Sequence, residues 1–142
     1  MGAIVHNTAD AILLSRDKIA ATQVMAECGL PVPKTISVAS MDDCMQALRT
    51  IGSYPLVIKA SEGTQGASVF LLDDEARAIS LLAQMFQRGM RPLIQEYIEE
   101  SHGRDIRVIV VRGRVVASME RKARGTEFRS NFHLGGSVEA IK

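Results

Sequence analysis

The sequence predicts an α+β protein built on antiparallel sheets, and three observations carry that prediction. Apolar, strand-like runs return on themselves without a helix between them, once through a glycine-containing loop at 61–67 and once through the two-residue turn Arg112-Gly113. Segments with helical spacing alternate with these hairpins in the order α, β, α, β, β, α, β, β, β, whereas a doubly wound parallel sheet needs a helix between nearly every pair of strands. Of the 142 residues, 46% are apolar and 23% charged, which suits a globular core and argues against disorder.

The first strong helix is expected over 16–28, where Ile19, Ala20, Val24 and Ala26 give an apolar face, with Ser15 as N-cap and Gly29 just past the end. Pro31 and Pro33 forbid continuation, so 29–34 is an extended link to a short strand at 35–38. Ser40 caps a helix over 41–51, Asp42 and Asp43 sit on its positive end, and Gly52 ends it. Strands at 55–59 and 68–72 flank the glycine loop and form a hairpin with a long tip. A helix over 73–88 opens with acids and stops at Gly89. Strands follow at 93–98, 105–111 and 114–119. Regularity is lost over 121–136, and no final element is expected beyond Gly135. Trp is absent and aromatics make up 4%, so the core must come from Ile, Leu, Val, Met and Ala.

Composition narrows the function classes. No apolar run approaches the ~20 residues of a membrane span. The start, MGAIVHNTAD, has neither the basic–apolar–small pattern of a secretory signal nor a myristoylation pattern, so a cytoplasmic location is expected. Cys28 and Cys44 make no metal or redox spacing, and His6, His102 and His133 are too scattered for a metal constellation. The net charge is +1, but it is unevenly spread. Residues 1–103 hold 8 basic and 12 acidic groups, and residues 104–131 hold 8 basic and 3 acidic. The basic strip could face an anion or be a solvated face.

Four stretches carry chemistry. Val57-Ile58-Lys59 delivers a lysine to a strand end, and Gly63-Thr64-Gln65-Gly66 follows. Glycines let backbone N–H groups close around phosphate oxygens, and a lysine adds a point charge. The G-x-x-x-x-G-K-[ST] pattern is absent, so this is no Walker loop, and a plain hairpin tip with an exposed lysine reads equally well. Gln95-Glu96-Tyr97-Ile98 could offer main-chain groups to a purine edge or be a sheet strand and nothing more. Asp105 could accept ribose hydroxyls or be a strand-start charge in water. Glu120-Arg121-Lys122-Ala123-Arg124, followed by Phe128-Arg129-Ser130-Asn131, supplies guanidinium forks suited to phosphate or carboxylate.

Taken together, Ser15-Arg16-Asp17-Lys18, Glu62-Gly63-Thr64-Gln65-Gly66, Gln95-Glu96-Tyr97-Ile98 and Phe128-Arg129-Ser130-Asn131, with Gly135-Gly136 behind them, resemble the ATP-grasp ligases, and among them the RimK-type glutamate ligases. The resemblance covers about residues 7–136. It implies ATP lying between antiparallel sheets with flanking helices. Lys18 and Lys59 would contact the phosphates, and Gly63, Thr64, Gln65 and Gly66 would close over them as a lid. Main-chain groups of Gln95, Glu96, Tyr97 and Ile98 would read the adenine, and Asp105 would hold the ribose. Arg129, Ser130 and Asn131 would line the phosphate end, Arg129 and Asn131 with a catalytic role. The implied reaction activates a carboxylate as an acyl phosphate, which an amine attacks to form an amide. Its implied substrates are ATP, glutamate and the C-terminus of a small-subunit ribosomal protein, with no direct nucleic-acid partner and a homo-oligomeric full-length enzyme. Arg121, Lys122 and Arg124 become candidates to bind acidic substrates.

One departure stands out: no Glu-x-Asn-type pair follows Asn131, so Mg²⁺ ligands are expected outside this chain and none within it. The resemblance therefore implies the nucleotide-binding portion of a larger ligase, without its N-terminal domain and C-terminal metal-binding part, and inactive alone. Residues 1–89 would form the small subdomain carrying the lid, and 90–142 would begin the second. Three rival readings remain: a ligase with a cofactor or carrier-protein acceptor, a non-enzymatic nucleotide-binding module, and an RNA-binding module. Only Phe128 and Phe132 could stack bases in the last of these.

Overall fold

The computed structural model describes residues 6–62, 68–131 and 135–141. The chain divides into two compact units between Tyr97 and Ile98. Helix α1 (Ala9–Arg16) and helix α2 (Lys18–Glu27) open the first unit. They are followed by β1 (Thr35–Ser37), α3 (Met41–Ile51), β2 (Leu56–Ala60), β3 (Val69–Leu72), α4 (Glu75–Gln87) and β4 (Pro92–Glu96). The four strands form one sheet in the order β1-β4-β2-β3, antiparallel throughout.

The core lies between one face of this sheet and two helices. On α3, Cys44, Ala47, Leu48 and Ile51 fall at i, i+3, i+4 and i+7, one face of a helix, and all four are buried. Ala78, Leu82 and Met85 do the same on α4. They meet Leu56, Ile58 and Ala60 of β2 and Ile94 of β4. Each fully buried leucine or isoleucine contributes about 1.5–3 kcal/mol by leaving water. Ser40 accepts the Asp43 N–H at 3.1 Å while the Asp43 carboxylate accepts the Ala39 N–H at 3.2 Å, so the start of α3 is closed in both directions. Strand side chains alternate, so Val57 and Lys59, with their partners Gln95 and Leu93, face away from α3 and α4.

After a 3₁₀ turn (Glu99–Ser101), the second unit is a meander of β5 (Arg104–Val111), β6 (Arg114–Lys122) and β7 (Ser137–Ala140). Arg112 and Gly113 both have positive φ, +52° and +74°, the signature of a tight two-residue hairpin turn. Gly136 runs so close to β6 that a Cβ there would lie 2.6 Å from the Lys122 carbonyl oxygen. No helix among the described residues is long and apolar enough to cross a membrane.

Four sequence expectations are corrected. The single helix over 16–28 is two helices, because Asp17 is extended and caps α2, accepting the Ile19 and Ala20 N–H groups, while Ser15 lies inside α1 and donates to the Ile12 carbonyl. The division expected after residue 89 lies after Tyr97, because β4 pairs with both β1 and β2 and so belongs to the first sheet. Arg121 and Lys122, expected in irregular chain, extend β6. A final strand, β7, exists and pairs with β6.

Candidate functional site

Lys18 and Lys59, which come from distant stretches, line one cavity of about 190 Å³ in the first unit, together with Thr22 and Met25 of α2 and Leu93 and Gln95 of β4. Lys18 is the first residue of α2, fixed there by the Asp17 cap, and its backbone N–H donates to the Ser61 carbonyl just past β2 at 3.1 Å. Its ammonium reaches the same carbonyl at 3.5 Å. Lys59 stands on the sheet face opposite the core, where the alternation of β2 puts it beside Gln95. The cavity is smaller than the ~300–1,000 Å³ typical of a whole small-molecule site, so it suits a few anionic groups rather than a complete nucleotide.

The lysines are poised for an anion. Burial pushes the Lys59 amine below its ordinary value, and the Lys18 charge pushes it further down. Burial also lowers Lys18, partly offset by Asp17 and Glu62. A dianion placed between them would relieve both effects. The Lys59 ammonium donates to Gln95 Oε1 at 2.5 Å, Gln95 Nε2 donates to Thr35 Oγ1 at 2.7 Å, and the Thr35 hydroxyl donates to the Pro33 carbonyl at 2.7 Å. Thr35 carried no signal in the sequence, because its role depends on β1 pairing with β4 sixty residues on.

Gly63, Thr64, Gln65 and Gly66, expected to close over the phosphates, lie outside the described residues. At the foot of that loop, Arg91 pairs with Glu62 at 3.4 Å and lies 3.9 Å from Asp17. Glu96 is engaged with the link before β1: its carboxylate accepts the Lys34 N–H at 2.7 Å, and its own N–H donates to the Lys34 carbonyl at 3.0 Å. Gln95 sits in a central strand, so its side chain rather than its main chain faces the cavity. Tyr97 closes the first unit and Ile98 opens the second.

In the second unit Asp105 and Arg121 face each other across β5 and β6 in a two-pronged ion pair. That pair and a hydrogen bond from the Ser130 hydroxyl hold the Asp105 carboxyl below the usual range. Arg129 forms a fork with Glu127 (2.9 and 2.8 Å), lies 5.7 Å from the Phe128 ring, and holds the Glu127 carboxyl down at about 2. Lys122 pairs with Glu120 and Glu139, and Arg104 with Glu120. Half of the strip's eight basic groups, Arg104, Arg121, Lys122 and Arg129, are thus paired within the second unit. The unit brings Asp105 and Ser130 together, and Asn131 follows Ser130 at the end of the same basic stretch. Sequence reasoning missed Glu127, although Glu-x-Arg spacing was visible. Among the described residues no group of three or more His, Cys, Asp or Glu could hold a metal ion.

Comparison with known proteins identifies the relatives of the chain. The description of the RimK-like ATP-grasp domain fits residues 15–142. The chain is 43% identical over all 142 residues to a curated Aeromonas salmonicida protein named "Probable alpha-L-glutamate ligase", of which it covers 48%. A Methanococcoides burtonii protein of the same name is 42% identical, with 47% of it covered. The chain therefore spans about half the length of the curated relatives it matches. Among solved structures, D-alanine–D-alanine ligase from Bacillus anthracis complexed with ATP superposes with a TM-score of 0.70 at 24% identity, over 91% of this chain and 40% of that one. The RimK domain ATP-grasp protein of Sphaerobacter thermophilus gives 0.67 at 24% identity, over 84% and 46%. These likenesses confirm an α+β ATP-grasp fold. With the lysine cavity in place and the profile matched over most of its length, the chain belongs to the RimK-like ATP-grasp family.

Proposed function

We propose that the chain is the nucleotide-binding portion of a larger ligase that uses ATP to join glutamate through a peptide bond to the C-terminus of a small-subunit ribosomal protein, and that it does not catalyse the joining alone. The acceptor carboxylate attacks the γ-phosphorus, ADP leaves, and an acyl phosphate forms. The glutamate amine then attacks the acyl carbon, loses a proton and expels phosphate. The observation that carries the reading is the convergence of Lys18 and Lys59 on one cavity. Phosphoryl transfer to a carboxylate crowds anions together, and fixed cations offset that repulsion. The two ammonium groups hold the phosphate chain, the loop at 63–66 covers it, and Gln95, Glu96, Tyr97 and Ile98 run beside the adenine. Asp105 takes the ribose, while Arg129, Ser130 and Asn131 serve the phosphate end. The curated relatives' shared name supports glutamate as the amino-acid substrate. A cytoplasmic, homo-oligomeric enzyme belongs to the same reading.

Incubation of the full-length ligase that contains this domain with ATP, Mg²⁺, labelled glutamate and the ribosomal protein tests it, with the 142-residue chain alone expected to form no amide. The expected result is label at the acceptor's C-terminus with one ADP formed per glutamate joined. ADP formation that ignores glutamate, or label that stays free, would overturn the reading.

A further inference from the structure

The polar contacts on the lysine face reach one residue beyond those given a role above, and we propose that Thr35 is a positioning residue for Lys59, acting through the side-chain amide of Gln95. The proposal rests on the reading of Lys59 as a phosphate contact. Its ground is the direction of the hydrogen bonds. An ammonium can only donate, so Gln95 must turn Oε1 toward Lys59. That leaves the amide nitrogen in need of an acceptor, and Thr35 Oγ1 supplies one at 2.7 Å from the strand directly opposite. The threonine proton in turn goes to the Pro33 carbonyl, which can only accept. Both ends of the chain are thus fixed in polarity, and no member can reverse without setting donor against donor.

Burial gives this order its strength. Gln95 is 8% exposed, so an amide nitrogen without its acceptor has little water to turn to. Thr35→Val keeps the β-branched shape and removes the oxygen. The amide is then held by Lys59 alone, and the ammonium loses the fixed oxygen that aims it into the cavity. Thr35→Ser keeps the oxygen.

ATP titration calorimetry on the protein, with Mg²⁺, in a double-mutant cycle tests the proposal. Thr35→Val is expected to weaken ATP binding about fivefold, the scale of one hydrogen bond between neutral groups. Thr35→Ser is expected to restore it. In a Lys59→Ala background, Thr35→Val is expected to add nothing, since the group it positions is gone. A purely structural threonine would cost the same in both backgrounds, and that result would overturn the proposal. So would full affinity in Thr35→Val where Lys59→Ala binds weakly. Full affinity in Lys59→Ala would instead remove the phosphate reading on which the proposal stands. Should Thr35→Val lower the unfolding midpoint below the assay temperature, Thr35→Ala carries the same cycle.

Discussion

Glu127 shows how one residue can set the state of a more conspicuous one. Arg129 belongs to the Phe-Arg-Ser-Asn string on which the sequence resemblance rests, yet its geometry is set two residues upstream, where Glu127 accepts two of its guanidinium N–H groups and its backbone N–H. Because the Glu127 carboxyl is held at about 2 against an ordinary 4.5, the unfolded chain binds the extra proton between those values. Stability from this pair is therefore complete above about pH 4.5 and lost as the pH falls toward about 2. Urea unfolding on either side of pH 4.5 checks this: wild type is expected to lose more stability on acidification than Glu127→Gln. Identical losses would contradict the assignment. At this scale the sequence yielded the charged residues with a motif around them, Lys18, Lys59, Asp105 and Arg129. It hid the neutral and countercharged partners, Thr35, Gln95's side chain and Glu127, since these depend on which strands pair.

The elements that pack were legible, and those that do not were misread. Helix α3 has its i, i+3, i+4, i+7 stripe, its serine cap and its terminal glycine, and it spans the residues that those signals predict. Helices α1 and α2 have no buried residue, so their apolar positions gave a periodicity without a packing partner to fix its limits. Asp17, read as part of one long helix, is the break between them. Asp17→Ala is expected to destabilise the chain by about 1 kcal/mol, a normal N-cap loss, in chemical denaturation. The same variant should weaken ATP binding, because the cap holds Lys18 as the first residue of α2. A variant with full affinity would show that α2 does not position that lysine. Strand β7 escaped notice because it is four exposed residues long, and its polar–apolar alternation, Ser137-Val138-Glu139-Ala140, is too short to stand out without β6 beside it. Gly136 before it admits the chain close to Lys122, a role invisible without β6 in place.

The whole molecule has two units of unlike construction. The first has a sheet backed by two amphipathic helices, with Ile58, Leu82 and Ile94 at 0% exposure. The second is a three-stranded meander in which Ile106, Val110, Val115 and Val116 are all more than half exposed. Hydrogen exchange is expected to divide accordingly, with the amides of Ile58 and Ile94 exchanging far more slowly than those around the bulge at Ile109 and Val110. Equal protection in both would contradict that division. The fold class was legible because hairpins and helices alternate openly along the chain. The boundary after Tyr97 was not, because β4 inserts between β1 and β2 and only pairing reveals it.

The central claim is that the amines of Lys18 and Lys59 meet at the phosphates of ATP. Nitrogen NMR of the lysine side chains, followed through pH with and without saturating ATP and Mg²⁺, tests it most directly. Without nucleotide both amines are expected to titrate below the ordinary lysine value of 10.5, and with ATP both are expected to move upward. ATP that binds while both titrations stay where they were would contradict the account.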